Sequence, residues 1–188
     1  TLPKPIVKLT SLTKLDLGEN QLVTLPDSMA ALTALGNLNL RFNEFTTLPK
    51  PIVELTSLTE LYLNSNQLMT LPDSIAALTA LKTLKLYGNK FTTFPDSFAA
   101  LTALQELDLR HNQLVKLPDS IAALTALKEL DLSENFRLRS SRQSSAVEAW
   151  LTALEAECKV VLPVEYLPHV CVYEEDEDGG YVIRYLYD

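Results

Sequence analysis

No G-x-G-x-x-G, phosphate-binding glycine loop or H-E-x-x-H occurs in this sequence. That removes the short motifs of dinucleotide, nucleoside triphosphate and zinc-protease chemistry. No apolar run reaches the roughly 18 residues that a membrane-spanning helix needs. Positive charge is in the minority, and a formal net charge of −8 argues against nucleic acid or an anionic membrane surface as partner. Cysteine is nearly absent, with only Cys158 and Cys171. His169 and Cys171 alone cannot complete a zinc site, which as a rule takes about four ligands. No cofactor is implied, and the chain does not open on a secretory signal.

What the sequence does have is a repeat. Residues 58–80, LTELYLNSNQLMTLPDSIAALTA, recur at the same length at 12–34, 35–57, 81–103 and 104–126, and a broken copy starts at Leu127. Asn20, Asn43, Asn66, Asn89, Asn112 and Asn135 mark the period at steps of 23. A unit of this size built on LxxLxLxxNxL cannot bury its apolar face alone, so copies must stack, one solenoid coil per unit. In the unit at 58–80, Leu58, Leu61, Leu63 and Leu68 point inward, and a short strand through 60–64 pairs with its neighbours in a parallel concave sheet. Asn66 turns the chain out of the strand and satisfies backbone groups the turn would leave buried. Leu71-Pro72 begins the return leg, where Asp73 or Ser74 is expected to cap a short helical turn with Ile75 and Leu78 facing the core.

On these letters the chain resembles the leucine-rich repeat family, in its 23-residue class with LPxxI in the second half. That class is found in intracellular Ras-pathway scaffold proteins and in many bacterial repeat proteins. The resemblance covers residues 1 to about 138. It implies an α/β fold, a right-handed horseshoe solenoid, and a non-catalytic module that binds a protein through its concave sheet. The alternative it allows is the recognition part of a larger signalling enzyme or secreted effector (a ligase, kinase or GTPase). Extracellular members usually carry cysteine-rich caps, a pattern missing here. Cys158 and Cys171 are therefore expected to be free thiols in a reducing, cytoplasmic compartment, or in a host cell in the effector case.

Domain organisation follows. Residues 1–138 hold a half repeat, five full repeats and one degenerate repeat; 139–188 form a small α+β C-terminal cap. Residues 1–11 parallel 47–57, so the chain opens within a coil, with Leu2, Ile6 and Leu9 as inward positions and a coil or cap expected upstream. After Asn135 the repeat fails. Ser145 is expected to start a helix, with Glu148 at the capping-box spacing and Val147, Trp150, Leu151, Leu154 and Cys158 as one apolar stripe. VVLPV (160–164), HVCVYE (169–174) and YVIRYLY (181–187) read as strands, the last two joined by a turn at EDEDGG.

A longer period runs through the repeats: residues 1–46 align with 47–92 without a gap, and 13 of the 46 pairs differ. All eight pairs at the x positions on or just past the strand have changed, against five of the other 38. Burial explains the constant leucines. It does not explain why Asp27-Ser28 recurs as Asp73-Ser74 on the convex side. A concave surface diversified for recognition fits this pattern; a young duplication with few changes is the alternative.

Equivalent concave positions should form rows. One reads Lys14, Asn37, Glu60, Thr83, Glu106, Glu129; the next Asp16, Asn39, Tyr62, Lys85, Asp108, Asp131; the third Gly18, Arg41, Asn64, Tyr87, Arg110, Ser133. Tyrosine and arginine, the residues enriched at interface hot spots, lie centrally. The candidate protein-binding residues are Lys14, Asp16, Asn39, Arg41, Tyr62, Asn64, Lys85, Tyr87, Asp108, Arg110 and Asp131. Glu106, Asp108, Glu129 and Asp131 gather negative charge that Lys85 and Arg110 offset only in part, which fits equally a basic feature on the partner or a solvated acidic surface. His111, Asp131 and Ser133 could approach one another as a hydrolytic triad, but an open face offers neither oxyanion donors nor a water-excluding pocket. Glu174, Asp176, Asp178 and Gly179 fall at calcium-loop spacing, yet Tyr185 stands where the bidentate glutamate belongs.

Overall fold

The computed structural model describes residues 8–139, 142–155, 159–163, 171–175 and 181–185. Six three-residue strands fall one per coil: β1 (Lys14–Asp16), β2 (Asn37–Asn39), β3 (Glu60–Tyr62), β4 (Thr83–Lys85), β5 (Glu106–Asp108) and β6 (Glu129–Asp131). They pair in sequence order, all parallel, each residue opposite its equivalent 23 positions on. A seventh strand, β7 (Lys159–Val161), extends the open sheet beyond β6.

The strand centres sit on Leu15, Leu38, Leu61, Leu84, Leu107 and Leu130. From Leu38 onward these leucines are no more than 1% exposed. The side-chain alternation of a strand explains the rest: if the central leucine enters the core, the residues on either side must face out. Phe45 and Phe91 take the place of Leu68 and Leu114 in their coils and are equally buried. The rows of equivalent apolar side chains make one core running the length of the stack.

Each return leg holds a five-residue 3-10 turn: Asp27–Ala31, Lys50–Glu54, Asp73–Ala77, Asp96–Ala100 and Asp119–Ala123. The expected side-chain cap is absent. The proline before each turn (Pro26, Pro49, Pro72, Pro95, Pro118) holds the capping position in extended conformation, and no side chain caps it. A fixed proline φ sets up the turn's entry without a side-chain acceptor. The Asp-Ser pairs work between coils instead: Ser97 Oγ donates to Asp73 Oδ1 at 3.2 Å, and Ser120 Oγ to Asp96 Oδ1 at 3.1 Å. At Asp73, then, the constancy on the convex side has a structural reason.

The repeated asparagines satisfy the turn out of each strand. Asn66 Nδ2 donates to Leu40 O and Leu63 O, both at 3.0 Å, and its Oδ1 accepts from Phe45 N at 3.1 Å. Asn43, Asn89, Asn112 and Asn135 repeat this pattern, so each carboxamide ties its own coil to the one before. The residue before each asparagine lies at positive φ, as Glu19, Phe42, Ser65, Gly88, His111 or Glu134.

Two expectations at the ends need correction. Leu9 is 52% exposed, while its equivalents Leu32 and Leu55 are fully buried. Those two are covered by a coil on each side; among the described residues nothing lies on the outer side of Leu9. At the other end, Ser144 caps the helix α1 (Ser145–Glu155), one residue earlier than expected, its Oγ accepting from Val147 N at 3.3 Å. The residue at capping-box spacing from Ser144 is Val147, not Glu148. Val147, Trp150, Leu151 and Leu154 are buried as the stripe requires, with α1 packed on the last 3-10 turn and on β7. Beyond that, β8 (Cys171–Glu175) and β9 (Tyr181–Tyr185) pair as an antiparallel ribbon. Leu2, Ile6, Cys158, His169, the 176–180 turn with its calcium-like spacing and the Cys171 side chain lie outside the described residues.

Candidate functional site

The parallel register lays the outward residues in rows across the concave sheet. The first row runs Lys14, Asn37, Glu60, Thr83, Glu106, Glu129 and gains Lys159; the second runs Asp16, Asn39, Tyr62, Lys85, Asp108, Asp131 and gains Val161. Being in register, side chains in a row are one inter-strand spacing apart, about 4.8 Å. Neighbours therefore bond to one another.

At the β1–β2 end, Asn39 Nδ2 donates to Asp16 Oδ2 at 3.0 Å and Arg41 pairs with Glu19 at 3.0 Å. In the middle, Asn37 Nδ2 and the Tyr62 hydroxyl both donate to Glu60 Oε2. Burial, then the hydrogen bond and charge of Glu60, then the charge of Glu106, push the Tyr62 hydroxyl up to about 12. Tyr62 is thus a neutral donor at any ordinary pH. Lys85 pairs with Glu106 at 3.2 Å. Toward β6, Arg110 makes a two-pronged contact with Asp108 (3.0 and 2.8 Å), reaches Asp131 at 3.4 Å and lies 5.2 Å over the Tyr87 ring. The hydrogen bond to Asp108 raises the Arg110 pKa, against the opposing effect of burial.

The acidic group at this end is better neutralised than the sequence suggested. Lys85 serves Glu106 and Arg110 serves Asp108 and Asp131, while Lys159 of β7 stands 3.6 Å from Glu129. The tail supplies a third cation because β7 extends the first row. The triad does not form either: Ser133 Oγ donates to Asp131 Oδ1 at 2.7 Å, and His111 Nε2 lies 2.9 Å from Glu134 Oε2 instead.

A groove of about 700 Å³ opens over β1 to β5. Lys14, Asp16, Asn39, Arg41 and Tyr62 line it, as do Asn64, Lys85, Tyr87, Asp108 and Arg110. Asp131 is outside the lining and joins through Arg110. Asn64 and Asp108, though on the outward side of the sheet, are only 5% and 6% exposed because their neighbours cover them. Sequence reasoning missed Asn37 and Phe42, which also line the groove. Asn37 was legible as a row member. Phe42 was legible only as one of the changed positions just past the strand, outside the three rows; it is 47% exposed at the groove.

Family models for leucine-rich repeats match residues 11–32, 56–114 and 92–136, together more than half of the chain. Curated proteins give no match. Among solved structures, the chain is similar to the leucine-rich repeat ectodomain of the plant membrane receptor kinase GASSHO1/SCHENGEN3 from Arabidopsis thaliana, determined in complex with CASPARIAN STRIP INTEGRITY FACTOR 2. The identity is 34% and the TM-score 0.62, over 70% of this chain and 16% of that one. It is also similar to a leucine-rich repeat protein of Leptospira interrogans, at 28% identity and TM-score 0.52, over 74% of this chain and 50% of that one. In all, 437 solved chains match, so the fold alone does not select a function. Repeat period, sheet register, asparagine ladder and matching models agree: the chain belongs to the leucine-rich repeat family.

Proposed function

We propose that this chain is a non-catalytic interaction module whose concave groove, centred on Tyr62, Tyr87, Arg41 and Arg110, binds a protein partner. The observation that carries the reading is the groove itself: two tyrosines and two arginines grouped over the middle strands. Aromatic and arginine side chains are those that anchor protein interfaces. The internal pairing of Lys85, Arg110 and Lys159 removes the need for a strongly basic partner. The Arabidopsis neighbour, a leucine-rich repeat ectodomain solved in complex with CASPARIAN STRIP INTEGRITY FACTOR 2, supports recognition of a partner as a use of this fold. A second reading, the recognition segment of a larger signalling protein, draws on the same neighbour, which is a receptor kinase ectodomain.

The test starts by capturing a partner with the full chain and titrating it against variants. Tyr62→Ala and Tyr87→Ala each should weaken binding by about 2 kcal/mol, roughly thirtyfold. Ser74→Ala, on an exposed convex turn, should leave affinity unchanged. Loss with the convex variant and none with the tyrosines would place recognition on the other side.

A further inference from the structure

Two residues past each strand end, at 18, 41, 64, 87, 110 and 133, the chain must satisfy an outward backbone N–H. In four coils the residue that ends the strand does so. Asp16 Oδ1 accepts from Gly18 N at 2.8 Å, Asn39 Oδ1 from Arg41 N at 3.1 Å, Asp108 Oδ1 from Arg110 N at 3.2 Å and Asp131 Oδ1 from Ser133 N at 3.0 Å. The two central coils break the rule. They carry Tyr62, whose hydroxyl is given to Glu60, and Lys85, which has no acceptor atom. The N–H groups of Asn64 and Tyr87 consequently meet no acceptor among the described residues.

The Asn64 side chain adds to this. It is 5% exposed and lines the groove, yet its carboxamide makes no hydrogen bond among the described residues. Two residues on, Asn66 makes four. Among the described residues the one fully buried side-chain atom without a partner is Trp150 Nε1, so the unpaired Asn64 carboxamide reaches solvent at the groove, where a ligand can meet it. Here three donor or acceptor groups stand together, just past the ends of adjacent strands, on the groove that Asn64 and Tyr87 both line.

Resting on the concave face as the binding surface, we infer that the Asn64–Tyr87 junction receives an uncharged amide of the partner: a backbone peptide group or an Asn or Gln side chain. Its carbonyl oxygen takes the two free N–H groups, and its N–H meets the Asn64 carboxamide, which offers both an acceptor and a donor. A carboxylate fits worse. Arg41, Lys85 and Arg110 are already held by Glu19, Glu106 and Asp108, so an incoming anion would compete for cations already paired. The bidentate amide also explains why the acceptor residue has been given up in these two coils alone: an internal Asp or Asn would occupy the donors a partner needs.

The test is a titration of the ¹⁵N-labelled full chain, followed by NMR, with N-acetylasparagine amide as an uncharged probe and acetate as its anionic counterpart. The expected result is saturable shifts of the Asn64 and Tyr87 backbone signals and the Asn64 side-chain signals, larger with the amide than with acetate. Tyr62→Asn and Lys85→Asn restore the internal acceptor, and each should weaken the probe about tenfold, one hydrogen bond's worth. Asn64→Ala should weaken it without lowering the melting temperature. Unmoved signals, or equal shifts with acetate, would overturn the inference. A pool of end-blocked hexapeptides, run in parallel, separates the two readings. Shifts confined to other concave signals overturn the amide site and leave the concave surface standing; shifts confined to the convex turns sink both.

Discussion

Asn64 and Asn66 are two residues apart in the same coil, and both are almost fully buried. Their circumstances are opposite. Asn66 belongs to the interior ladder, repeated in every coil, where each polar group finds a partner. Asn64 belongs to the concave face, where the residue changes from coil to coil and its carboxamide finds none among the described residues. The difference teaches that the molecule keeps the groups that hold its coils together apart from the face proposed for recognition. The interior rows stay apolar or asparagine because a polar side chain in the core, or a lost carboxamide at the turn, would leave groups unpaired. One large apolar side chain can stand for another, as Phe45 does for Leu68. The outer rows vary because little of the fold depends on them.

The interior side of the comparison is the easiest to break. If the core runs unbroken from the repeats into α1, Trp150→Ala should cost about 3–5 kcal/mol, the price of removing a large buried aromatic. Chemical denaturation would report it, and a loss well under 1 kcal/mol would show that α1 is only loosely attached. On the outer side, Tyr62→Ala and Tyr87→Ala should reduce partner affinity as described while moving the melting temperature little. A large loss of stability there would blur the separation. The boundary between the two is sharpened by Gly88→Ala. This residue holds φ +67°, and an added Cβ would meet nothing closer than Ser65 Oγ at 3.4 Å. The cost should therefore come from backbone strain alone, about 1 kcal/mol. The other five coils already bear that strain with non-glycine residues, so a much larger loss would mean that the coils are not equivalent.

Much of the fold could be read from the sequence, and for a stated reason. An apolar side chain that must be buried, and an asparagine that must satisfy a buried turn, allow few substitutes, so the 23-residue period displays both them and the strand register. Harder to read were features that depend on a partner one coil away or from outside the repeat. The Asp73–Ser97 bond joins residues 24 apart, and spacing within one copy says nothing of it. Lys159 reaches Glu129 only because β7 joins the sheet, which the letters VVLPV do not announce. Leu9 carries the same signature as Leu32, but burial depends on having a neighbour on each side. Within the groove, the rows were legible because the register is. The free N–H groups of Asn64 and Tyr87 were not, since they show only when Tyr62 and Lys85 are compared with Asp16, Asn39, Asp108 and Asp131 in the same structural place.

The separation itself is tested most directly by paired denaturation of Asn66→Ala and Asn64→Ala in the full chain. Removing the Asn66 carboxamide leaves Leu40 O, Leu63 O and Phe45 N without their partner, so a loss of about 1–3 kcal/mol is expected. Removing the Asn64 carboxamide takes away a group that faces the groove and bonds nothing among the described residues, so stability should change little. Equal losses from the two would contradict the account, for they would show that the concave position supports the fold as much as the interior one does.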